Sequence, residues 1–186
     1  VVSPVTGRRI SKTLAVFGAN GSGKTNLMKP FVFVHWFMAH SFRLEPEAAI
    51  PLDTHFFAKE QPSTFELEFE ADLGEGPELL LYKAELTRQR ILMEELYQKT
   101  DSTKFTMRYV FKRHWDEATQ SYKVMQKSFG MPPKEAEKVR QNASLISTAA
   151  QYDVPLALAL VKSIQRNQTN VNSYGRAVSS NIFSCA

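Results

Sequence analysis

The sequence lacks the features that mark secreted, membrane-spanning or zinc-binding proteins. Cys185 is the single cysteine in 186 residues, so no disulfide can form within the chain, and we expect a reducing compartment, the cytoplasm. The longest strongly apolar run, around residues 31–39, is too short for a membrane span and contains a histidine. The four histidines are not spaced with cysteine or carboxylates as zinc ligands would be. We therefore expect no membrane partner and no zinc site.

The composition is that of an ordinary globular domain with a small excess of positive charge. Hydrophobic residues make up 43% and charged residues 23% of the chain. The formal net charge of +4 permits a nucleic-acid partner, but the charge is spread along the chain and is weak support for one. The sequence starts with Val1, and only one strand fits before the first motif. For these reasons we expect a fragment of a longer polypeptide.

One stretch carries a specific chemical pattern. The segment "GANGSGKTNL", Gly18–Leu27, fits G-x-x-x-x-G-K-[ST], which would occur by chance in about 1% of chains of this length. Before it, "TLAVFG" is short and apolar and predicts a buried strand at Thr13–Gly18. After it, the apolar pattern predicts a helix from Lys24 to about Phe42 that is buried on most sides. Because this motif requires a strand before it and a helix after it, the context favours a phosphate-binding loop.

Each fixed position of the loop has a physical role. Gly18, Gly21 and Gly23 allow backbone conformations and close approaches that a Cβ would prevent. Lys24 is expected to reach the β- and γ-phosphates of a nucleoside triphosphate, and the Thr25 hydroxyl to bind Mg²⁺. Backbone N–H groups at the start of the helix supply the remaining donors to phosphate. The residues expected to bind ATP are Asn20, Gly21, Ser22, Gly23, Lys24, Thr25 and Asn26, of which Lys24 is also the expected catalytic residue.

The groups that complete an ATPase site are not evident. Hydrolysis needs a carboxylate after an apolar strand and a group that positions water. The apolar stretch "ELLLYKAE" has Lys83 and Ala84 where that carboxylate would stand, and "PLALALVKS" ends in Lys-Ser. We therefore expect this chain alone to bind ATP and to hydrolyse it poorly. If it does hydrolyse ATP, Glu94, Glu95 and Asp53 are the first candidates for the missing acid.

The rest of the chain predicts an antiparallel sheet followed by helices. In "STFELEFEADL", Phe65, Leu67 and Phe69 alternate with glutamates, as in a half-buried strand. Two further strands follow, and then a hairpin that turns at "DEATQ". "PPKEAEKVRQNASLISTAAQ" and "PLALALVKSIQRN" are helical, with Pro133 and Pro155 suited to first turns. We predict an α/β fold with residues 1–130 as strand, loop, helix and antiparallel β subdomain, and residues 131–186 as a helical portion with a polar tail.

The segment "LAVFGANGSGKTNLMKPFVFVHWFMAHSF" resembles the opening of AAA-type ATP-binding proteins with ABC-like heads, relatives of the SMC, RecF and overcoming-lysogenization-defect ATPases. "PSTFELEF", "LYKAEL" and "RILMEELY" resemble the antiparallel sheet of that group, so the resemblance covers about residues 13–162. It implies the first lobe of an ATPase head that binds ATP and Mg²⁺ and dimerises around the nucleotide. Many such proteins, including Septu and retron-associated ATPases, act in bacterial antiphage systems with a nuclease, and the resemblance implies this role here.

The chain also departs from that group. Pro30 stands where a good helix former is usual, and the later half with its signature and Walker B strand is absent from this sequence. The resemblance implies a glutamine that couples nucleotide to the helical lobe, and Gln61, just before "STFELEF", is the candidate and a possible metal ligand. The alternative is that Gln61 is a polar loop residue.

Three other readings of the chain remain open at this point. The loop could hold nucleotide in a non-hydrolysing scaffold module that organises a nuclease or nucleic acid. The chain could also belong to a DNA-repair or chromosome-maintenance ATPase. A small P-loop kinase is disfavoured by the antiparallel strands after the first helix. A cluster of basic residues could contact nucleic-acid phosphates: Lys112, Arg113, Lys123 and Lys127.

Overall fold

A computed structural model describes residues 2–9, 11, 13–53, 61–99 and 106–165. The elements, in chain order, are α1 (Lys24–His40), β1 (Ser63–Asp72), β2 (Pro77–Leu86), β3 (Ile91–Lys99), β4 (Met107–Asp116), β5 (Ser121–Gln126), α2 (Pro133–Glu137), α3 (Leu145–Gln151) and α4 (Pro155–Gln165). A single turn of 3-10 helix at Ser41–Arg43 extends α1. Within the described part of the chain, no helix is both long and apolar enough to cross a membrane.

The five strands form one antiparallel sheet in chain order, which confirms the predicted α/β fold with an antiparallel β subdomain. Leu67 of β1 stands opposite Tyr82 of β2, and Glu95 of β3 stands between Lys83 of β2 and Lys112 of β4. The predicted hairpin turn at "DEATQ" joins β4 to β5. Alternation along β1 turns its apolar side chains toward the core and most of its glutamates toward solvent, as predicted.

Helix α1 is buried along its second half only. Phe33, Val34 and Phe37 lie in the core, whereas Leu27, Met28 and Phe31 in the first half are about half exposed. The prediction of a helix covered on most sides is therefore correct for its C-terminal half and wrong for its N-terminal half. The helix runs continuously through Pro30. The candidate phosphate loop precedes the exposed half of the helix and therefore lies outside the core.

The core lies between the inner face of the sheet and the helices. Helix α1 contacts α3 and α4, and α4 contacts β1. The Phe33 ring lies 5.2 Å from the Phe65 ring of β1, measured between centroids. Burial of these aromatic and aliphatic side chains supplies the main driving force for folding. The core thus anchors the C-terminal half of α1.

The first predicted helix after the sheet is interrupted. Helices α2 and α3 are separated by residues 138–144, and Ser144 caps α3 by accepting a hydrogen bond from the Ile146 N–H. The break leaves the backbone carbonyls of Val139, Arg140 and Ala143 available, and all three accept hydrogen bonds from one buried arginine of β4, Arg113. Helices α2 and α4 begin at the prolines that the sequence indicated.

The predicted buried strand at Thr13–Gly18 is not formed. This segment has no regular secondary structure, and the side chains of Leu14 and Phe17 are 83% and 90% exposed. A buried parallel strand needs hydrogen-bonded neighbours and helices over both faces. Among the described residues no strand lies beside it. The apolar sequence of a core strand is therefore present without the sheet that would bury it.

Candidate nucleotide-binding site

The loop Gly18–Gly23 has the conformation that its glycines permit. Gly21 and Gly23 have φ of 82° and 83°, in the left-handed region where residues with a Cβ are strained. At Gly18, a Cβ would stand 2.8 Å from the Ser22 Oγ, which is closer than real Cβ contacts. Gly21 and Gly23 are thus favoured by their backbone conformation, whereas a Cβ at Gly18 would have to displace the Ser22 hydroxyl.

The Lys24 side chain folds back over this loop. Its Nζ donates hydrogen bonds to the carbonyl oxygens of Gly18 at 2.7 Å and Ala19 at 2.6 Å, and lies 3.4 Å from the Ser22 Oγ. The ammonium group is therefore held inside the loop mainly by two backbone oxygens, with the Ser22 hydroxyl at a longer distance. To bind a phosphate, Lys24 must exchange these carbonyl oxygens for phosphate oxygens.

The start of α1 fits an anionic ligand. The helix has 17 residues, its N-cap is Gly23, and no side chain caps its first N–H groups. Its first turn also contains no acidic residue. The first N–H groups of a helix have no partner inside the helix, and the helix dipole makes this end positive. A phosphate bound at this end accepts hydrogen bonds from the free N–H groups, and its negative charge is stabilised by the helix dipole.

Thr25 and Asn26 stand exposed in that first turn. The Thr25 hydroxyl is free to be a Mg²⁺ ligand, as the motif predicts. Within the described residues, no group of three or more His, Cys, Asp or Glu side chains could hold a metal unaided. Mg²⁺ is usually held by one or two protein side chains together with substrate phosphates and water, and a threonine hydroxyl is a suitable ligand of this kind. The residues present therefore fit ATP with Mg²⁺, and when bound the ion would neutralise phosphate charge.

Glu94, one candidate for the missing acid, is fully buried, and its oxygens are used in hydrogen bonds that stabilise the fold. It accepts hydrogen bonds from the Tyr82 hydroxyl at 3.1 Å, the Ser144 hydroxyl at 2.5 Å and the Leu145 N–H at 2.8 Å. The Arg113 Nη1 lies 3.6 Å from the Glu94 Oε2. With these donors around it and no exposed surface, Glu94 cannot position water at the loop.

Glu95 is committed to a different cluster, on the outer face of the sheet. The Tyr97 hydroxyl donates to it at 2.6 Å, the His114 Nε2 lies 2.7 Å away and the Lys112 Nζ lies 3.7 Å away. Burial tends to raise the pKa of Glu95, but hydrogen bonds from Tyr97 and His114 and the charge of Lys112 outweigh it. The resulting pKa lies below the usual value for glutamate.

The third candidate, Asp53, lies near α1. Its Oδ2 is 2.5 Å from the Nζ of Lys29, and its side chain is half exposed. Gln61, the residue expected to assist the metal, is exposed just before β1. Its role stays a prediction.

The proposed basic cluster is wrong in one member. Arg113 is fully buried, because strand alternation turns it to the inner face, where three carbonyl oxygens accept its hydrogen bonds. The other three members are partly or fully exposed lysines. Lys112 lies near Glu95, and Lys123 forms an ion pair with Asp116 at 2.5 Å. The Lys127 Nζ lies 4.6 Å from the centroid of the Tyr109 ring. The surface cluster is therefore made of three lysines.

Sequence reasoning missed the buried network of Glu94, Arg113 and Ser144. A usable signal exists for the arginine, which lies two residues after the fully buried Phe111 and so has the same facing in a strand. The loop before α3 carried no such signal.

Comparison with known proteins identifies the family. A family model described as "AAA domain, putative AbiEii toxin, Type IV TA system" matches residues 14–121, more than half of the chain. The chain belongs to this family, whose AAA domain is of the P-loop nucleotide-binding ATPase type. No curated protein matches the chain significantly. No solved structure does so either.

Proposed function

We propose that this chain binds ATP with Mg²⁺ through residues Gly18–Asn26 and forms part of a nucleotide-gated ATPase head. The observation that carries the proposal is the loop geometry. Two left-handed glycines precede an uncapped helix, and the lysine of the motif is held inside the loop by backbone oxygens. Lys24 would contact the terminal phosphates and Thr25 the metal, and the backbone N–H groups at the start of α1 would bind phosphate oxygens.

Exposed apolar side chains lie near the loop. They support the proposal that another lobe or another copy of the chain covers this part of the head. Leu14, Phe17, Leu27, Met28 and Phe31 are all exposed, on the segment before the loop and the first turns after it. An apolar surface of this kind beside a polar loop marks an interaction site. In an ABC-like head, this lobe would be covered by its partner lobe, and a second copy would close over the nucleotide. We include this dimer in the proposal.

The isolated chain should hydrolyse ATP slowly. Glu94 and Glu95 are committed to hydrogen bonds and ion pairs elsewhere, so neither can position the attacking water. Phosphoryl transfer depends almost entirely on positioning and charge stabilisation, and the groups that provide them act together. Hydrolysis by the chain alone is therefore expected to be several orders of magnitude slower than by a complete, dimerised ATPase.

For the cellular role we propose the ATPase component of a bacterial antiviral defence complex that works with a nuclease. The description of the matching family names a toxin of a toxin–antitoxin system, which is consistent with a role in conflict between bacteria and their parasites. The resemblance to antiphage ATPases supports the same role. Infection of bacteria carrying the intact system, with and without Lys24→Ala, tests it: equal plaque counts would contradict this role without affecting ATP binding.

Titration of the chain with a fluorescent ATP analogue and Mg²⁺ tests the biochemical proposal. Lys24→Ala is expected to weaken binding by about 10- to 100-fold, the range for loss of a hydrogen bond between charged groups. Lys134→Ala, which removes an exposed lysine from α2, is the matched control and should bind like the wild type. Equal binding by the wild type and Lys24→Ala would overturn the assignment.

A second candidate function is a scaffold that binds single-stranded nucleic acid, and the outer face of the sheet favours it. The Lys112 Nζ lies 5.3 Å from the Tyr97 ring and 5.5 Å from the Tyr109 ring, and Lys127 lies over Tyr109. Aromatic rings beside cations are the common elements of sites where bases stack and phosphates bind. Salt-dependent binding of a labelled oligonucleotide, lost in Lys112→Gln/Lys127→Gln, with no phosphate release from ATP by the intact protein, would favour this function.

A further inference from the structure

We propose that Asp53 is a positioning residue for Mg²⁺ at the nucleotide site and holds the metal's water shell beside Thr25. This inference rests on the proposed ATP binding and supplies a carboxylate that the motif itself does not contain.

Lys29 and Thr25 share one face of the helix. They are four residues apart in α1, and side chains at this spacing are neighbours with Cβ atoms about 5–6 Å apart. Helical side chains also lean toward the N-terminus, so the Lys29 side chain lies over the turn that contains Thr25. The Lys29 ammonium is 2.5 Å from the Asp53 carboxylate. Through Lys29, Asp53 is thus connected to the face of the helix that carries Thr25.

Asp53 is also available for this role where Glu94 and Glu95 are not. Its side chain is 50% exposed, and Lys29 is its described partner. Glu94 has no exposed surface, and Glu95 is enclosed by three donors on the outer face of the sheet. Among the three carboxylates that the sequence singled out, Asp53 alone is near α1 and open to solvent.

The chemistry suits a contact through water. Mg²⁺ gives up its water reluctantly and usually keeps several water ligands when one or two protein side chains and phosphates bind it. A carboxylate beside the ion can accept hydrogen bonds from those waters and orient them. Groups that act in this way on a metal's ligands typically change metal affinity by 10- to 100-fold when they are removed. In the absence of the metal Asp53 pairs with Lys29, and the waters of a bound Mg²⁺ would compete with that ion pair for the carboxylate.

The test is a Mg²⁺ titration of the chain in the presence of a fluorescent ATP analogue. Asp53→Asn should raise the Mg²⁺ concentration at half-saturation by about tenfold or more, because the neutral amide accepts water hydrogen bonds poorly. In excess EDTA, the variant should bind the analogue like the wild type. Glu47→Gln, which neutralises an exposed carboxylate in the same connecting segment, should leave both measurements unchanged.

Lys29→Gln separates this role from a structural one. It breaks the same ion pair but keeps the Asp53 carboxylate, so the Mg²⁺ half-saturation point should stay the same or fall. Equal increases in Lys29→Gln and Asp53→Asn would mean that the ion pair only supports the fold, and would overturn the inference. An unchanged half-saturation point in Asp53→Asn would overturn it as well. A wild-type chain that binds no nucleotide at all would instead refute the proposed function.

Discussion

Arg113 and Glu94 form a fully buried pair, with the Arg113 Nη1 3.6 Å from the Glu94 Oε2. The pair lies at the junction of β3, β4 and the loop before α3. Arg113 donates to three backbone carbonyl oxygens of that loop, and Glu94 accepts from the hydroxyl and N–H groups at the start of α3. The two side chains thus connect the sheet to the helical portion through charge and hydrogen bonds.

Arg113→Met should destabilise the chain by about 3–5 kcal/mol, the cost of leaving one member of a buried ion pair without its partner. Three carbonyl oxygens would lose a donor at the same time. The neighbouring Lys112→Met removes a partly exposed pair and should cost no more than about 1 kcal/mol. Urea unfolding of both variants measures the difference, and equal midpoints would contradict the structural role of Arg113.

Val34→Asp should cost about 3–5 kcal/mol of unfolding free energy, because Val34 is buried where α1 packs into the core and the new charge would have no partner. Leu158→Asp on the partly exposed surface of α4 is the control, with an expected cost near that of a surface substitution. Thermal melts that coincide for wild type and Val34→Asp would show that this face of α1 is open to solvent.

Gly23→Ala should weaken nucleotide binding while Gly74→Ala should not. Both glycines have positive φ, 83° and 110°, and open space where a Cβ would go, so both variants strain the backbone. Gly23 precedes α1 in the phosphate loop, and Gly74 lies in the turn between β1 and β2. Titration with a fluorescent ATP analogue distinguishes them. An equal loss of affinity in both variants would indicate that global stability, and not loop geometry, determines binding.

The stability of the chain should fall as the pH is lowered from about 7.5 to 5.5. Burial lowers the pKa of His35 below its usual value of about 6.5, so the unfolded chain takes up protons first as the pH decreases. The pKa of His40 is lowered too, by burial and by the charge of Arg43. His35→Gln should therefore reduce the slope of stability against pH in this range without abolishing it. Melting temperatures measured across this range provide the check, and a slope of opposite sign would refute it.

The antiparallel sheet was predictable because each of its signals is local. Alternation of Phe65, Leu67 and Phe69 with glutamates defines a strand facing the core, and short polar turns define its neighbours. The prolines at the starts of α2 and α4 are local signals of the same kind. The loop motif was also predictable, since its glycines, lysine and threonine are fixed in sequence.

What could not be predicted depends on contacts between distant segments. The apolar segment 13–18 has the composition of a strand, but a strand exists only when a neighbour pairs with it. Arg113 was predicted as a surface cation, and its burial is stabilised by loop carbonyls 26 to 30 residues away and by Glu94 on the neighbouring strand. Likewise, the break between α2 and α3 lies where backbone carbonyl oxygens accept hydrogen bonds from the distant Arg113.

Pro30 separates an exposed N-terminal half of α1 from a C-terminal half that is packed in the core. Proline has no N–H, so the carbonyl oxygen of Asn26 lacks its usual helical hydrogen bond just beyond the phosphate loop. On the C-terminal side of Pro30 the helix packs into the core, and on its N-terminal side the helix and the loop are largely exposed to solvent. Since one backbone hydrogen bond is missing at this point, a change in the direction of the N-terminal half should cost least there and should leave the core packing in place. The anchored half of the helix therefore fixes where the phosphate loop is attached, and the direction of the loop depends on the unanchored half alone.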